Sequence, residues 1–223
     1  MNIFNYLSKN NYPGRGLIVG KYNGEMVVTY FIMGRSENSR NRVFKMKDNT
    51  VYTAAYDESK VKDPSLIIYN ALRTFEGNTI ATNGNQTDTI YEYLKQGKSF
   101  KDALETREYE PDEPNFTPRI SAIINNDSYI LSILKKKDET CEREYFPYQG
   151  VDGIGHFIST YDHDGNPLPA FSKDPIEIEI NEDIDEFSNK LWNSLNSENK
   201  ISLYVRYIGH NSYRDVLLNK NGD

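Results

Sequence analysis

The chain has 223 residues, a formal net charge of -7 and a single cysteine. That length buries a real core without disulfide staples, and Cys141 has no second cysteine to pair with. The acidic balance argues against a general nucleic-acid binder, and no apolar run approaches the roughly 20 residues that span a bilayer. Met1 to Tyr12 is polar and Asn-rich rather than a charged-then-apolar leader, so the chain reads as cytoplasmic and soluble.

Arg15 to Lys21 and Met26 to Met33 are short, apolar and β-branched, and they flank Asn23-Gly24, a pair that tolerates positive φ and predicts a hairpin. Val43 to Met46 and Val51 to Ala55 form a second strand pair around Lys47-Asp48-Asn49. Leu66 to Phe75 and Thr79 to Thr82 flank Glu76-Gly77-Asn78, although the first segment also fits a helix. A helix starts at Asn85 and stops at Gly97; Ser99 and Asp102 then open another, which Pro111 and Pro114 end. Ile120 to Ile124 and Tyr129 to Leu134 make a hairpin over Asn125-Asn126-Asp127. Glu144 to Tyr148, Ile154 to Tyr161 and the alternating Ile176, Ile178 and Ile180 are strands. Ile184, Phe187, Leu191 and Leu195 mark an amphipathic helix, and Ile201 to Ile208 is a last strand. Hairpins dominate and no βαβ repeat appears, which predicts an α+β fold with mainly antiparallel sheets. About ten strands exceed what one open sheet carries comfortably, so two packed sheets with helices outside are expected. No linker interrupts the chain, which reads as one domain with residues 1–11 as an N-terminal extension.

Several chemistries lack their signatures. There is no dinucleotide or P-loop glycine pattern, no serine-nucleophile elbow, and the histidines have no metal-ligand spacing. Cys141, between Glu139 and Glu142, is poorly placed for a thiolate.

Four polar clusters remain. Arg35-Ser36-Glu37-Asn38-Ser39-Arg40-Asn41-Arg42 concentrates guanidinium forks and neutral donors directly after an apolar strand, which suits a small anion such as a phosphorylated metabolite; the alternative is a solvated turn. Thr82 to Asp88 joins a strand to a helix and either approaches a ligand or merely caps the helix. Tyr109 to Pro114 concentrates acids where a helix ends, as a general acid or base requires, unless it is only a solvated loop; Arg119 follows as a salt-bridge or substrate partner. Tyr69 and Arg73 share one face of a predicted strand and Asn70 the other, which calls for a polar pocket or a partner.

Five segments, Y-P-G-R-G-L (12–17), G-R-S-E-N-S-R (34–40), D-P-S-L-I-I-Y-N-A-L-R (63–73), T-N-G-N-Q-T-D-T-I (82–90) and Y-E-P-D-E-P-N-F-T-P-R-I (109–120), resemble in order and spacing the archaeal-type IMP cyclohydrolase family. The likeness covers Tyr12 to Ile124 well and the C-terminal half loosely, and Ser39 stands before Arg40 where the family pattern has Asn. The resemblance implies a four-layer α-β-β-α sandwich like that of the N-terminal-nucleophile hydrolases. It implies the fold without the nucleophile, since the chain starts Met1-Asn2-Ile3. It further implies closure of the last purine ring, from the 5-formamidoimidazole-4-carboxamide ribonucleotide to IMP, with no cofactor and no metal. On that resemblance Tyr69 is the phenol donor, Glu110 the proton shuttle or orienter, and Arg40, or else Arg35, the positive charge at the base or phosphate. Ser36, Asn70, Asn83, Asn85 and Arg119 contact substrate. The partner is then a small purine nucleotide, with no nucleic acid or membrane, and self-association is left open. The competing readings are a nucleotide-binding module without chemistry and an amidohydrolase working through a processed N-terminal residue.

Overall fold

Short polar turns at positive φ set the sheets. The computed structural model describes residues 1–61, 64 and 67–222. Asn23 and Gly24, at φ 50° and 82°, close β1 (Arg15–Tyr22) onto β2 (Glu25–Met33) with Tyr22 opposite Glu25. Asp48 turns β3 (Arg42–Lys47) into β4 (Thr50–Ala55). Glu76 and Gly77 turn β5 (Asn70–Phe75) into β6 (Asn78–Thr82), and Asn126 turns β7 (Arg119–Asn125) into β8 (Ser128–Lys137). The remaining strands are β9 (Thr140–Gln149), β10 (Ile154–Ser159), β11 (Ile176–Glu179), β12 (Lys200–Ile208) and β13 (Tyr213–Asn219). The helices are α1 (Ile3–Ser8), α2 (Glu37–Arg40), α3 (Gln86–Lys95), α4 (Phe100–Glu105) and α5 (Ile184–Ser194).

One sheet has six strands in the order β11-β10-β1-β2-β12-β13; the other has seven in chain order, β3 through β9. Period-two alternation assigns each strand two faces. In β2, Met26, Val28, Tyr30 and Ile32 enter the core between the sheets, while Val27, Phe31 and Met33 face outward beneath α1 and α5. On the other flank Ile80, Ile123 and Leu134 pack under Ile90, Phe100, Ala103 and Leu104 of α3 and α4. The result is the α+β, α-β-β-α sandwich expected from the sequence. Ser99 and Asp102 form a full capping box at the start of α4. Among the described residues, no helix is long and apolar enough to cross a membrane.

Four elements exceed the sequence reading: α1, α2, β13 and a single 3-10 turn at Glu58–Lys60. Polar composition conceals α1, yet Ile3 and Leu7, four apart, are both buried, Asn2 caps the Asn5 N–H, and Phe4 packs edge-on against Phe187 of α5. The N-terminal segment is therefore part of the outer helical layer. Leu7→Ala is expected to cost about 2–5 kcal/mol in denaturant unfolding, the range for a buried leucine; a loss under about 0.5 kcal/mol would mean that α1 is dispensable cover.

The strand expected at Leu66 to Phe75 begins only at Asn70, and Leu66 lies outside the described residues. A register shift between Val51 and Tyr52, which pair with Leu72 and Asn70, makes Ala71 an extra residue. Alternation fails there, so Tyr69, Ala71 and Leu72 all join the inter-sheet core, while Asn70 and Arg73 both turn to Asp88 on α3.

Candidate active site

At the end of the sandwich where β1 starts and β2 ends, the sheets part around a cavity of about 370 Å³. Gly14 makes the entry into β1 feasible. Its φ is +76°, and a Cβ there would lie 2.2 Å from Thr160 Oγ1. The next residue, Arg15, opens β1 and points a guanidinium at the loop between α4 and β7. Its Nη1 and Nη2 donate to Glu110 Oε1 and Oε2, both at 2.9 Å, and Nη1 also donates to the Asn83 carbonyl at 3.0 Å. The two side chains are only 10% and 4% exposed, so this is a buried bidentate ion pair. Burial opposes the Arg15 charge, yet Glu110, with Tyr69 and Tyr30 beyond it, holds the guanidinium well above its ordinary value. The Glu110 N–H donates to the Thr117 carbonyl at 2.8 Å, which fixes the loop.

The cationic segment after β2 forms another part of the lining. Ser36 caps α2 through its Oγ, which accepts from the Ser39 N–H at 3.1 Å. That short turn decides which arginines reach the cavity. Arg42, 4% exposed, lines it and donates Nε to the Ser39 carbonyl at 2.8 Å. No carboxylate among the described residues pairs with Arg42. Arg35 also lines the cavity; its Nη1 pairs with Asp164 and donates to the Gly165 carbonyl, and its guanidinium lies over the Tyr12 ring at 4.9 Å. Asn38 presents a buried Oδ1 with no partner among the described residues.

The sequence-predicted residues divide into three groups. Glu110, Arg35 and Ser36 line the cavity. Tyr69 stands behind it, 6% exposed, its hydroxyl 2.7 Å from that of Tyr30. Burial and the Tyr69 neighbour raise the Tyr30 phenol well above its usual range, against Arg15 and Arg42. Arg40 does not line the cavity; it donates Nε to the Gly34 carbonyl and Nη2 to Asn199 Oδ1, each at 3.0 Å. Asn83 is fully buried and serves as a brace, its Oδ1 accepting from Ile120 N and Gln86 Nε2 and its Nδ2 donating to the Pro118 carbonyl. Arg119 donates to the Glu108 carbonyl and Gln86 Oε1; burial lowers its guanidinium, with Glu110 opposing. Asn70 binds Asp88, and Asn85 is an exposed N-cap residue without a side-chain cap bond. Among the described residues no group of three His, Cys, Asp or Glu side chains could hold a metal ion. Arg15, Thr117 and Tyr161 also line the cavity, as do Asn38 and Asp112 of the cationic and acidic clusters, and the sequence assigns none of the five a role. The available signal was positional for Arg15, a charge opening an apolar strand.

Fold and cavity together define an α-β-β-α protein with a small-molecule site, cationic on one stretch of its lining and carrying a buried carboxylate within. The family model for IMP cyclohydrolase-like proteins matches residues 12–212. The IMP cyclohydrolase of Methanococcus maripaludis strain C7 is 35% identical over 158 residues, 68% of this chain and 75% of that protein. The IMP cyclohydrolases of Methanococcus aeolicus and Methanocaldococcus jannaschii are each 31% identical, over 156 and 155 residues, covering 68% and 67% of this chain and 74% and 73% of theirs. The chain belongs to the IMP cyclohydrolase-like protein family.

Proposed function

We propose that this protein is an IMP cyclohydrolase, closing the pyrimidine ring of the 5-formamidoimidazole-4-carboxamide ribonucleotide with loss of water. The observation that carries this reading, beside family membership, is the buried Arg15–Glu110 pair in a cavity also lined by Arg35 and Arg42. The continuous inter-sheet core, from Leu17 to Tyr204, supports treating residues 1–223 as one domain.

The chemical difficulty is a weak nucleophile. The carboxamide nitrogen attacks the formyl carbon on the same molecule, a bond forms between them, and the nitrogen loses a proton. The formyl oxygen gains a proton and leaves as water when the formamido nitrogen gives up its own hydrogen. Holding both groups in the reactive rotamer removes much of the barrier, and proton transfer accounts for most of what remains. Each Glu110 oxygen accepts one bond from Arg15 and keeps a lone pair, so Glu110 takes the amide proton and passes it to the oxygen. Arg15 stabilises negative charge on that oxygen, and the paired Tyr69 and Tyr30 hydroxyls behind the cavity flank its guanidinium rather than touching substrate. Arg35, Arg42 and Ser36 take the phosphate, and Asn38 Oδ1 accepts from a ribose hydroxyl.

The direct test is absorbance-monitored conversion of the formamido nucleotide to IMP by purified protein, with and without chelator. A chelator-insensitive rate above the spontaneous background is expected; background rate alone would leave a nucleotide-binding protein without chemistry. The arginines separate the roles further. Arg42→Ala should raise KM about 10–100-fold, the loss of a charge-assisted contact, while Arg40→Ala should change it less than about threefold. The reverse ranking would return the anion site to Arg40.

A further inference from the structure

Asp112, Thr117 and Tyr161 line the same cavity, and the hydrogen bonds among them have a direction that chemistry fixes. Thr117 donates its N–H to Asp112 Oδ1 at 2.6 Å and its hydroxyl to Oδ2. A carboxylate only accepts, so the single Thr117 hydroxyl proton is committed to Asp112. The Tyr161 hydroxyl lies 2.5 Å from Thr117 Oγ1 and must therefore donate to it. What Tyr161 then has left for a ligand is lone pairs: it is an acceptor. Its ring cannot easily turn away, being 5% exposed and stacked on Tyr12 at 6.0 Å and 19°. Burial, opposed by Arg15, pushes its phenol up to about 12, so it keeps the proton that the chain requires.

A fixed acceptor reads a group that has only hydrogens to offer. Ribose hydroxyls donate or accept and need no such fixing; an amide nitrogen does not accept. Tyr161 also belongs to the Arg15 side of the cavity, since its ring lies against Gly14, where a Cβ would sit 2.5 Å from it. We propose that Tyr161 accepts an N–H of the substrate's 4-carboxamide and that Asp112, acting through Thr117, is the positioning residue that keeps it an acceptor. This inference rests on the cyclohydrolase reading. Its consequence is specificity: a 4-carboxylate, with lone pairs facing lone pairs, is rejected, and the reaction supplying the substrate must deliver a finished primary amide.

Calorimetric binding of the 5-aminoimidazole-4-carboxamide ribonucleotide and of its 4-carboxylate counterpart tests this without turnover. The intact protein should prefer the amide. In Tyr161→Phe and in Thr117→Val the preference should fall about tenfold, mainly through weaker amide binding, and the double variant should lose no more than Tyr161→Phe alone. If Tyr161→Phe weakens both nucleotides equally, Tyr161 reads the sugar or merely packs, and the proposal is overturned. Should Tyr161→Phe fail to fold, an unchanged preference in the nearly isosteric Thr117→Val overturns it equally. If the intact protein binds neither nucleotide, the cyclohydrolase reading itself falls. Normal amide binding with an unaltered preference in both variants sinks only the Tyr161 assignment.

Discussion

Glu110→Gln should lower kcat by about 10²–10⁴-fold, the range for a lost general acid–base, while weakening nucleotide binding by less than about tenfold. The carboxylate is placed for both halves of the reaction. It is held by two 2.9 Å bonds on one side and lines the cavity with its remaining lone pairs. Glutamine keeps the shape and one carbonyl acceptor, but it offers N–H groups where a proton must be received. Phosphate contacts at Arg35 and Arg42 are untouched, so binding of a non-reacting nucleotide survives. Steady-state kinetics and calorimetry together decide the matter. Equal losses in kcat and affinity would mean that Glu110 only holds Arg15 and substrate in place.

Arg15→Met has its largest effect on stability, an expected loss of about 3–5 kcal/mol, because it strands a buried carboxylate. The Glu110 side chain is 4% exposed, and Arg15 is its ion-pair partner. Replacing both members, Arg15→Met with Glu110→Leu, removes the stranded charge and should recover most of the loss while leaving no activity. Denaturant midpoints at constant slope measure both variants. A double variant as unstable as the single one would place the cost in packing around β1 rather than in the uncompensated charge.

Local signals carried the architecture and long-range pairing carried the site. Asn23-Gly24, Glu76-Gly77 and Asn125-Asn126-Asp127 are turn chemistries that act within four residues, and each closes the hairpin it predicts. The Gly97 stop and the Ser99 capping box are local for the same reason, whereas α4 ends at Glu105, ahead of the Pro111 and Pro114 expected to end it. Tyr69 and Arg73 do not share the face that alternation gives them, because Tyr69 precedes β5 and the extra residue Ala71 is invisible to alternation. The cationic loop was legible as a feature, but the choice among its guanidiniums depends on a four-residue helix too short to show periodicity. Arg15 escaped notice because its partner lies 95 residues away, and a lone charge at a strand start gives no hint of what it meets. Asn83 and Arg119 looked like ligand contacts because buried polar braces and binding residues share the same chemistry; only their partners tell them apart.

The strand order of the two sheets has a kinetic meaning. The seven-stranded sheet pairs neighbours in chain order from β3 to β9, and four of its six pairings close over two-residue turns, so most of its contacts span short loops and are expected to form early. The six-stranded sheet instead joins β1 and β2 to β10 and β12, across more than a hundred intervening residues. Arg15 comes from this late sheet and Glu110 from a loop tied to the early one. The ion pair that organises the cavity is therefore expected to complete only when the two sheets meet, so in refolding experiments nucleotide binding should return no earlier than the slowest folding phase.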